Sequence, residues 1–156
     1  MNNNKERTLH LIDVENLIGS PNPTPDCVRW YHLAYQALHV APTDQVIVAC
    51  SHHAAPNVFW EWSQGCHRWR SGENGADLAL LKVITQERIS ERFGCVALAS
   101  GDGIFTKAVA GLGKQGVNVT VVSRPESLSR SLQMVAKQVS LFPYPPTNLD
   151  MIGTPL

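Results

Sequence analysis

The sequence lacks the segments that carry a protein into or across a membrane. No apolar stretch reaches the roughly 18 residues of a membrane-spanning helix. The polar start, MNNNKER, contains no apolar region of a signal peptide. None of the four cysteines forms a C-x-x-C pair, which disfavours a zinc clip. We therefore expect reduced thiols in a cytoplasmic protein that has no membrane partner.

Several motifs of nucleotide and hydrolase chemistry are also missing. No G-x-G-x-x-G follows the first predicted strand, and neither a Walker A sequence nor a G-x-S-x-G elbow is present. These absences weigh against nicotinamide or flavin enzymes and against α/β-hydrolases. The 13 basic and 13 acidic residues cancel, so no charge excess indicates tight, nonspecific binding of nucleic acid. A nucleic-acid partner remains compatible with this balance, because an acidic site offsets a basic rim.

What the sequence does contain is an alternation of strands and helices. Apolar and β-branched runs predict strands at 8–13, 45–50, 66–70, 94–99, 117–122 and 138–141. Helices are predicted between them, at 26–39, 57–64, 74–91, 103–114 and 127–136. This order predicts βαβ units and an α/β fold with a mostly parallel central sheet.

The composition divides the chain into three parts. Residues 1–7 form a polar N-terminal arm, residues 8–141 a single domain, and residues 142–156 a proline-rich tail that is predicted to be extended. With 44% hydrophobic residues, the chain can build one domain with a sizeable core.

Three aspartates occupy positions where an α/β chain exposes carboxylates. Asp13 closes the first strand, Asp102 follows the fourth, and Asp77 lies in the first turn of the helix near residue 74. Strand ends and helix starts of an open parallel sheet converge on one crevice. Carboxylates that meet there repel one another unless a cation neutralises them, which indicates a site for Mg²⁺ or Mn²⁺. The alternative is that each aspartate caps a helix or turn.

Four segments together resemble a known family. They are LIDVEN at 11–16, NGADLALL at 74–81, ASGDGIF at 99–105 and LGKQGVNVTVV at 112–122. Their order and spacing are similar to the NYN domain family, a branch of the PIN-like nuclease superfamily. The resemblance covers roughly residues 8 to 141.

The resemblance implies a Rossmann-like, three-layer α/β/α fold and a metal-dependent endoribonuclease that cleaves RNA with Mg²⁺ or Mn²⁺. Carried over by position, Asp13 and Asp102 would hold the metal, and Asp77 would hold it or activate a water. Asn16 would orient a water or a phosphate oxygen. Ser100, just before Gly101, is expected to donate a hydrogen bond to one of the carboxylates.

Two positions depart from the family pattern. Ile104 and Val83 stand where the family has further acidic residues. Fewer carboxylates favour the alternative of a degenerate PIN-like module that binds RNA or protein without cutting. A phosphatase of another Rossmann-like type is a third hypothesis, but its D-x-D pair is missing at Asp13 because position 15 is Glu.

Basic and aromatic residues supply candidates for RNA contacts. They are Ser51, His52 and His53 after the second strand, Arg68 and Arg70 near Trp60, Trp62 and Trp69, and Lys107 and Arg124 after later strands. For each group a structural role is the alternative: a surface loop, core packing of the tryptophans, or solvated charge. The segment from Trp60 to Trp69 is also a candidate homodimer contact.

Overall fold

A computed structural model describes residues 3–147 of the chain, and the last part of the predicted tail lies outside them. The described residues form six strands: β1 (Thr8–Asp13), β2 (Gln45–Ser51), β3 (Cys66–Arg70), β4 (Cys95–Ala99), β5 (Asn118–Ser123) and β6 (Gln138–Leu141). Their helices are α1 (Val14–Ile18), α2 (Pro25–His39), α3 (Ala55–Glu61), α4 (Gly75–Gln86), α5 (Ile89–Arg92), α6 (Thr106–Lys114) and α7 (Arg130–Val135).

All six strands run parallel in one sheet, in the order β3-β2-β1-β4-β5-β6. The chain starts at the centre, moves outward to β3, then crosses back to β4 and moves outward on the other side. The switch point of this doubly wound order lies between β1 and β4, where α/β proteins bind ligands outside the carboxyl ends of the strands. The α/β fold with a parallel sheet is thus confirmed.

Helices cover both faces of the sheet, and alternate residues of β1 show how each face is buried. Leu9 and Leu11 pack with α4, α5, α6 and α7, whereas Ile12 packs with α1, α2 and α3. Both faces of the central strands are therefore in cores, which explains why these strands are almost continuously apolar. The result is a three-layer α/β/α arrangement.

The predicted helix at 74–91 is not continuous: it is interrupted at residues 87 and 88. Helix α4 ends at Gln86, Arg88 adopts a left-handed backbone with φ of 51°, and the short helix α5 follows. Arg92 donates a hydrogen bond to the Glu87 carbonyl across this break. The sequence contains no glycine or proline here, so its helical pattern gives no sign of the interruption.

A buried histidine ties the amino edge of the sheet together. The His10 ring bonds the Tyr35 hydroxyl through Nδ1 at 2.8 Å and the Asp44 carboxylate through Nε2 at 2.9 Å. Burial lowers the pKa of His10, against the opposing effect of Asp44. Asp44 also accepts hydrogen bonds from the Thr8 and Ala41 amides. These bonds fix β1 to α2 and to the turn before β2, at the end of the sheet opposite the aspartates.

The core extends one residue past β6. Phe142, the first residue of the predicted tail, is buried and its ring stacks on Tyr31 with centroids 5.4 Å apart. Its amide donates a hydrogen bond to the Ser123 carbonyl at 2.8 Å. The residue therefore packs with α2 as part of the folded domain. Among residues 3–147, no helix has both the length and the apolar character that crossing a membrane requires.

Candidate functional site

A crevice of about 170 Å³ opens at the carboxyl ends of β1 and β4, beside the start of α4. Its lining residues are mostly acidic or amide side chains: Asp13, Glu15, Asn16, Asn74, Ala76, Asp77 and Asp102. The structure thus brings together the three aspartates and the asparagine that the sequence singles out. It does so at the switch point of the sheet.

Asp13 ends β1 and is held from two sides. Its Oδ1 accepts a hydrogen bond from the Asn16 amide at 3.2 Å, which caps α1, and its Oδ2 accepts one from Ser100 Oγ at 3.2 Å. The side chain is almost fully buried. Ser100 therefore contacts a carboxylate of the crevice. Asp13 caps α1, as the alternative interpretation expects, and it also lines the crevice.

Asn16 and Asp102 are positioned by the turn that follows β4. The Gly101 amide donates to Asn16 Oδ1 at 2.9 Å, which leaves the Asn16 Nδ2 as the free donor of that side chain. Asp102 Oδ1 accepts from the Ile104 amide at 2.9 Å. A Cβ on Gly101 would lie 2.2 Å from the Ser127 carbonyl oxygen, so the turn closes this tightly only with glycine.

Asp77 reaches the crevice because α4 begins in close contact with β3. A Cβ on Gly75, the first residue of α4, would lie 2.1 Å from the Arg70 carbonyl oxygen. The missing side chain lets the helix start press against the strand ends, two residues before Asp77. Asn74, which precedes α4, has a left-handed backbone and makes no capping bond with its side chain.

The carboxyl groups of Asp13 and Asp77 hold their protons more tightly than isolated ones do. Burial, followed by the neighbouring Asp77 side chain, raises the pKa of Asp13 well above its usual value. Burial also raises the pKa of Asp77, and the charge of Asp102 adds to this. Crowded and desolvated carboxylates of this kind bind a proton or a cation to relieve their repulsion. The crevice is therefore short of positive charge.

These pKa shifts predict a pH dependence for the Asp77→Asn variant in EDTA. Because the folded-state pKa of Asp77 is raised, the folded wild type binds more protons than the unfolded chain above about pH 4, so its stability falls as pH rises through the folded pKa. The asparagine variant lacks this loss. Its free energy of unfolding relative to wild type should increase between about pH 4.5 and 7.5, measured by urea unfolding. A difference that stayed constant or shrank would show that Asp77 is not destabilised by ionisation.

Glu15 is a fourth carboxylate of the crevice. Its Oε1 accepts two hydrogen bonds from Ser51, from the amide at 2.7 Å and from the hydroxyl at 2.5 Å. No hydrogen bond reaches its Oε2 within the described residues, which leaves that oxygen available to the crevice. Helix α1 turns Glu15 back over the strand ends. Sequence reasoning treated residues 14–18 as a connection and so could not assign this direction.

The two positions that lack the family's acidic residues lie outside this crevice. Val83 is buried in the core beneath α4, and Ile104 lines a separate apolar groove between α4 and α6. Neither leaves a gap among the four carboxylates. Glu15 therefore supplies part of the negative charge that is lost where Ile104 and Val83 replace acidic residues of the family pattern.

Arg124 differs from the expectation of a free, phosphate-binding cation. Its guanidinium donates to the Leu17 and Asn16 carbonyls at 3.1 Å each and to Glu126 at 2.8 Å. A Cβ on Gly19 would lie 2.5 Å from the guanidinium carbon. These bonds clamp the end of α1 to β5. Arg124 thus fixes the segment that carries Glu15 and Asn16, and its donors are already engaged.

The other predicted contact residues lie around the crevice at different distances. Ser51 is buried against Glu15, and His53 bonds Ser51 Oγ and the Pro21 carbonyl. The His52 ring lies against Trp69. Lys107 lines the groove of Ile104 and not the crevice. Of the tryptophans, Trp62 is buried whereas Trp60 and Trp69 are exposed.

The donor set fits a hard divalent cation in its chemistry. Every polar side chain that lines the crevice offers carboxylate or amide oxygen, the ligands that Mg²⁺ and Mn²⁺ prefer. Within residues 3–147, however, no group of three or more His, Cys, Asp or Glu side chains is arranged to hold a metal ion.

Comparison with known proteins identifies the family. A sequence profile of the NYN domain matches residues 33–142, which is more than half of the chain. The chain belongs to the NYN domain family. The matched part of this NYN domain contains Asp77 and Asp102, whereas Asp13 and Asn16 precede it. The family is part of the PIN-like nuclease superfamily and generally has RNase activity.

A solved structure supports the same fold. The NYN domain is similar to a Vibrio parahaemolyticus protein of unknown function, with a TM-score of 0.63 and 17% sequence identity. The similarity covers 92% of this chain and 96% of that one. At this identity the likeness concerns the fold alone. No curated protein matches the chain significantly.

Proposed function

We propose that this NYN domain is an endoribonuclease that hydrolyses RNA phosphodiesters with the help of Mg²⁺ or Mn²⁺. The observation that carries the proposal is the crevice in which four carboxylates and Asn16 meet. The raised pKa values of Asp13 and Asp77 support it, because buried carboxylates that repel one another favour a bound cation. When bound, the ion would neutralise charge on the scissile phosphate and acidify a water.

The roles follow from the placement of each side chain. Asp13 and Asp102 would hold the ion, since Asp13 ends β1 and Asp102 lies in the turn after the neighbouring strand β4, at the switch point. Asp77 faces them from α4 and would hold the ion or accept a proton from the attacking water. Asn16 would donate from Nδ2 to a phosphate oxygen, because its Oδ1 is already bonded to Gly101.

Supporting residues keep this arrangement rigid. Ser100 orients Asp13, and Ser51 orients Glu15. Glu15 would add negative charge and a further acceptor for a water through its free Oε2. These hydrogen bonds from Ser100 and Ser51 hold the carboxylates in place. Their position matters because positioning and electrostatic stabilisation supply most of the acceleration of phosphodiester cleavage.

A degenerate PIN-like module that binds RNA or protein is the second candidate function. It is favoured by one observation: no three acidic or histidine side chains among the described residues form a ready metal site.

Localisation in the cytoplasm and a homodimer through the Trp60–Trp69 segment remain predictions.

Metal dependence of cleavage separates the two candidates. The metal-stripped protein is incubated with single-stranded and hairpin RNA, with Mg²⁺, with Mn²⁺ or with EDTA. We expect cleavage with either ion and at least about a thousandfold slower cleavage in EDTA. Mn²⁺ should be at least as effective as Mg²⁺, because it generally binds a given site more tightly. RNA that is retarded but intact under every metal would leave only the binding module.

A further inference from the structure

A groove of about 530 Å³ lies beside the crevice, between the edge strand β3 and helix α4. We call it the edge groove. Strand β3 supplies Arg68, Trp69 and Arg70. Helix α4 supplies Ala79 and Lys82, and Glu87 follows its last residue. The groove carries several charged side chains and lies outside the acidic site.

The charges of the edge groove are mainly positive. Arg68 pairs with Glu87 at 3.3 Å, so the one carboxylate of the groove is already neutralised. Within the described residues, the side chains of Arg70 and Lys82 form no ion pair or hydrogen bond, and both are exposed. Two free cations on opposite walls can grip successive phosphates of a strand that passes between them.

An aromatic surface lies across the edge strand from these cations. Trp69 is 54% exposed, and its ring contacts His52 with centroids 5.6 Å apart. Successive side chains of a strand alternate between its faces, so the indole lies on the other face of β3 from Arg68 and Arg70. A strand held by the cations could pass over this edge and stack an unpaired base on the exposed indole. A duplex keeps its bases stacked inside and offers no free face to such a ring.

The edge groove and the acidic crevice are neighbours along α4. Ala76 lines the crevice and Ala79, one turn further along the same helix, lines the groove. At the top of the groove, Arg70 is paired with Ser51 in the sheet register, and Ser51 is bonded to Glu15 of the crevice. A strand that leaves the crevice toward the sheet edge therefore enters the groove directly.

We propose that the edge groove binds the single-stranded RNA that flanks the cleaved phosphodiester. Arg70 and Lys82 contact its phosphates, and an unpaired base stacks on Trp69. This inference rests on the proposed function and adds the form of the substrate: a single strand that crosses the β3 edge. It also gives a function to the free cations in a chain whose total charge is zero.

The charge pattern disfavours a second copy of this chain as the occupant. Strand β3 is an edge strand, and two copies could pair there through their unpaired backbone groups. Such pairing about a two-fold axis would bring Arg68 and Arg70 of one copy against those of the other. Like charges that face each other across a strand pair are destabilising.

Binding in EDTA tests the groove without requiring cleavage. Anisotropy is measured with a fluorescent oligoadenosine RNA of about ten nucleotides and with a duplex of the same length. The double variant Arg70→Ala/Lys82→Ala should bind the single strand about tenfold more weakly or worse. Its slope of log Kd against log salt should become shallower by about 1.4, because each lost phosphate contact contributes about 0.7. Trp69→Ala should also weaken binding about tenfold, and Arg70→Lys should retain most of it.

The matched control removes two positive charges from the opposite edge of the sheet. Lys114 ends α6 and Lys137 precedes β6, and both are exposed. We expect Lys114→Ala/Lys137→Ala to bind like wild type. An equal loss in this control, unchanged binding by the groove variants, or equal effects on duplex and single strand would overturn the inference.

Two further measurements keep this result separate from the proposed function. If wild type cleaves RNA but the groove variants bind it normally, the groove inference fails and the nuclease stands. If wild type never cleaves but the groove variants lose binding, the groove inference stands alone. Sedimentation of each variant shows whether the groove instead joins two copies: a dimer that dissociates on Arg70→Ala/Lys82→Ala, with unchanged RNA affinity, would overturn the inference.

Discussion

Asp102→Asn is expected to slow metal-dependent RNA cleavage by at least about a thousandfold while leaving the fold intact. The asparagine keeps the Oδ1 that accepts the Ile104 amide, so the turn after β4 retains its bond. It removes the charge that raises the pKa of Asp77. The melting temperature in EDTA should therefore be unchanged or higher by a few degrees. Cleavage rates and thermal melts of the same preparations measure both effects.

The control for this substitution is Asp26→Asn. Asp26 is an exposed aspartate near the start of α2 that pairs with Arg29 on the surface. Its replacement should change neither cleavage nor stability by more than about 0.5 kcal/mol. A large fall in melting temperature with Asp102→Asn, without a specific effect on cleavage, would mean that Asp102 acts only as a turn cap.

Phe142→Ala is expected to lower the free energy of unfolding by about 3–5 kcal/mol, although this residue begins the predicted tail. The ring is 2% exposed and packs against Tyr31, Tyr35 and Trp30 on the face covered by α2. Its loss leaves a cavity among large, rigid rings that cannot readily close. Urea unfolding in EDTA measures the change.

The adjacent residue supplies the comparison. Leu141 ends β6 and is 57% exposed, so Leu141→Ala should cost less than about 1 kcal/mol. Similar small losses for both variants would show that the chain beyond β6 contributes little to the core and that the domain ends at residue 141. A selective loss at Phe142 would extend the domain by at least that residue.

The architecture could be predicted because the strands are buried on both faces. Val46, Ile47 and Val48 of β2 form a short apolar run that suits a central parallel strand and is too short for a helix. Such a run does not contain the strand order. The order follows the usual winding of a doubly wound sheet, in which β1 and β4 are neighbours at the switch point.

The parts that escaped prediction depend on local geometry without a periodic signal. Helix α1 has five residues, fewer than two turns, so no apolar stripe can reveal it. The direction of Glu15 follows from that helix and was lost with it. Arg88 breaks the long helix through a left-handed backbone that arginine seldom adopts.

Long polar side chains were the hardest residues to assign. Arg124 has the sequence context of a rim cation, but its reach allows it to cap the end of α1 instead. Arg68 and Arg70 lie in the same predicted strand, two residues apart. Among the described residues, however, only Arg68 of these two has a carboxylate partner. Such differences are set by which acceptors happen to lie within a side-chain length, and a linear pattern does not contain that information.

The central position of β1 has a consequence for the order in which the domain forms during synthesis. Asp13 and Ser100, which are bonded in the crevice, are 87 residues apart in the chain, and Asn16 and Gly101 are 85 apart. The hydrogen bonds that join Asp13 and Asn16 to the turn after β4 therefore form only after β4 has left the ribosome. Sheets built from such distant pairings form slowly. A nascent chain that stops before β4 lacks Asp102 and the Ser100 and Gly101 contacts that hold Asp13 and Asn16, so any cutting activity would begin late, when the fold is nearly complete.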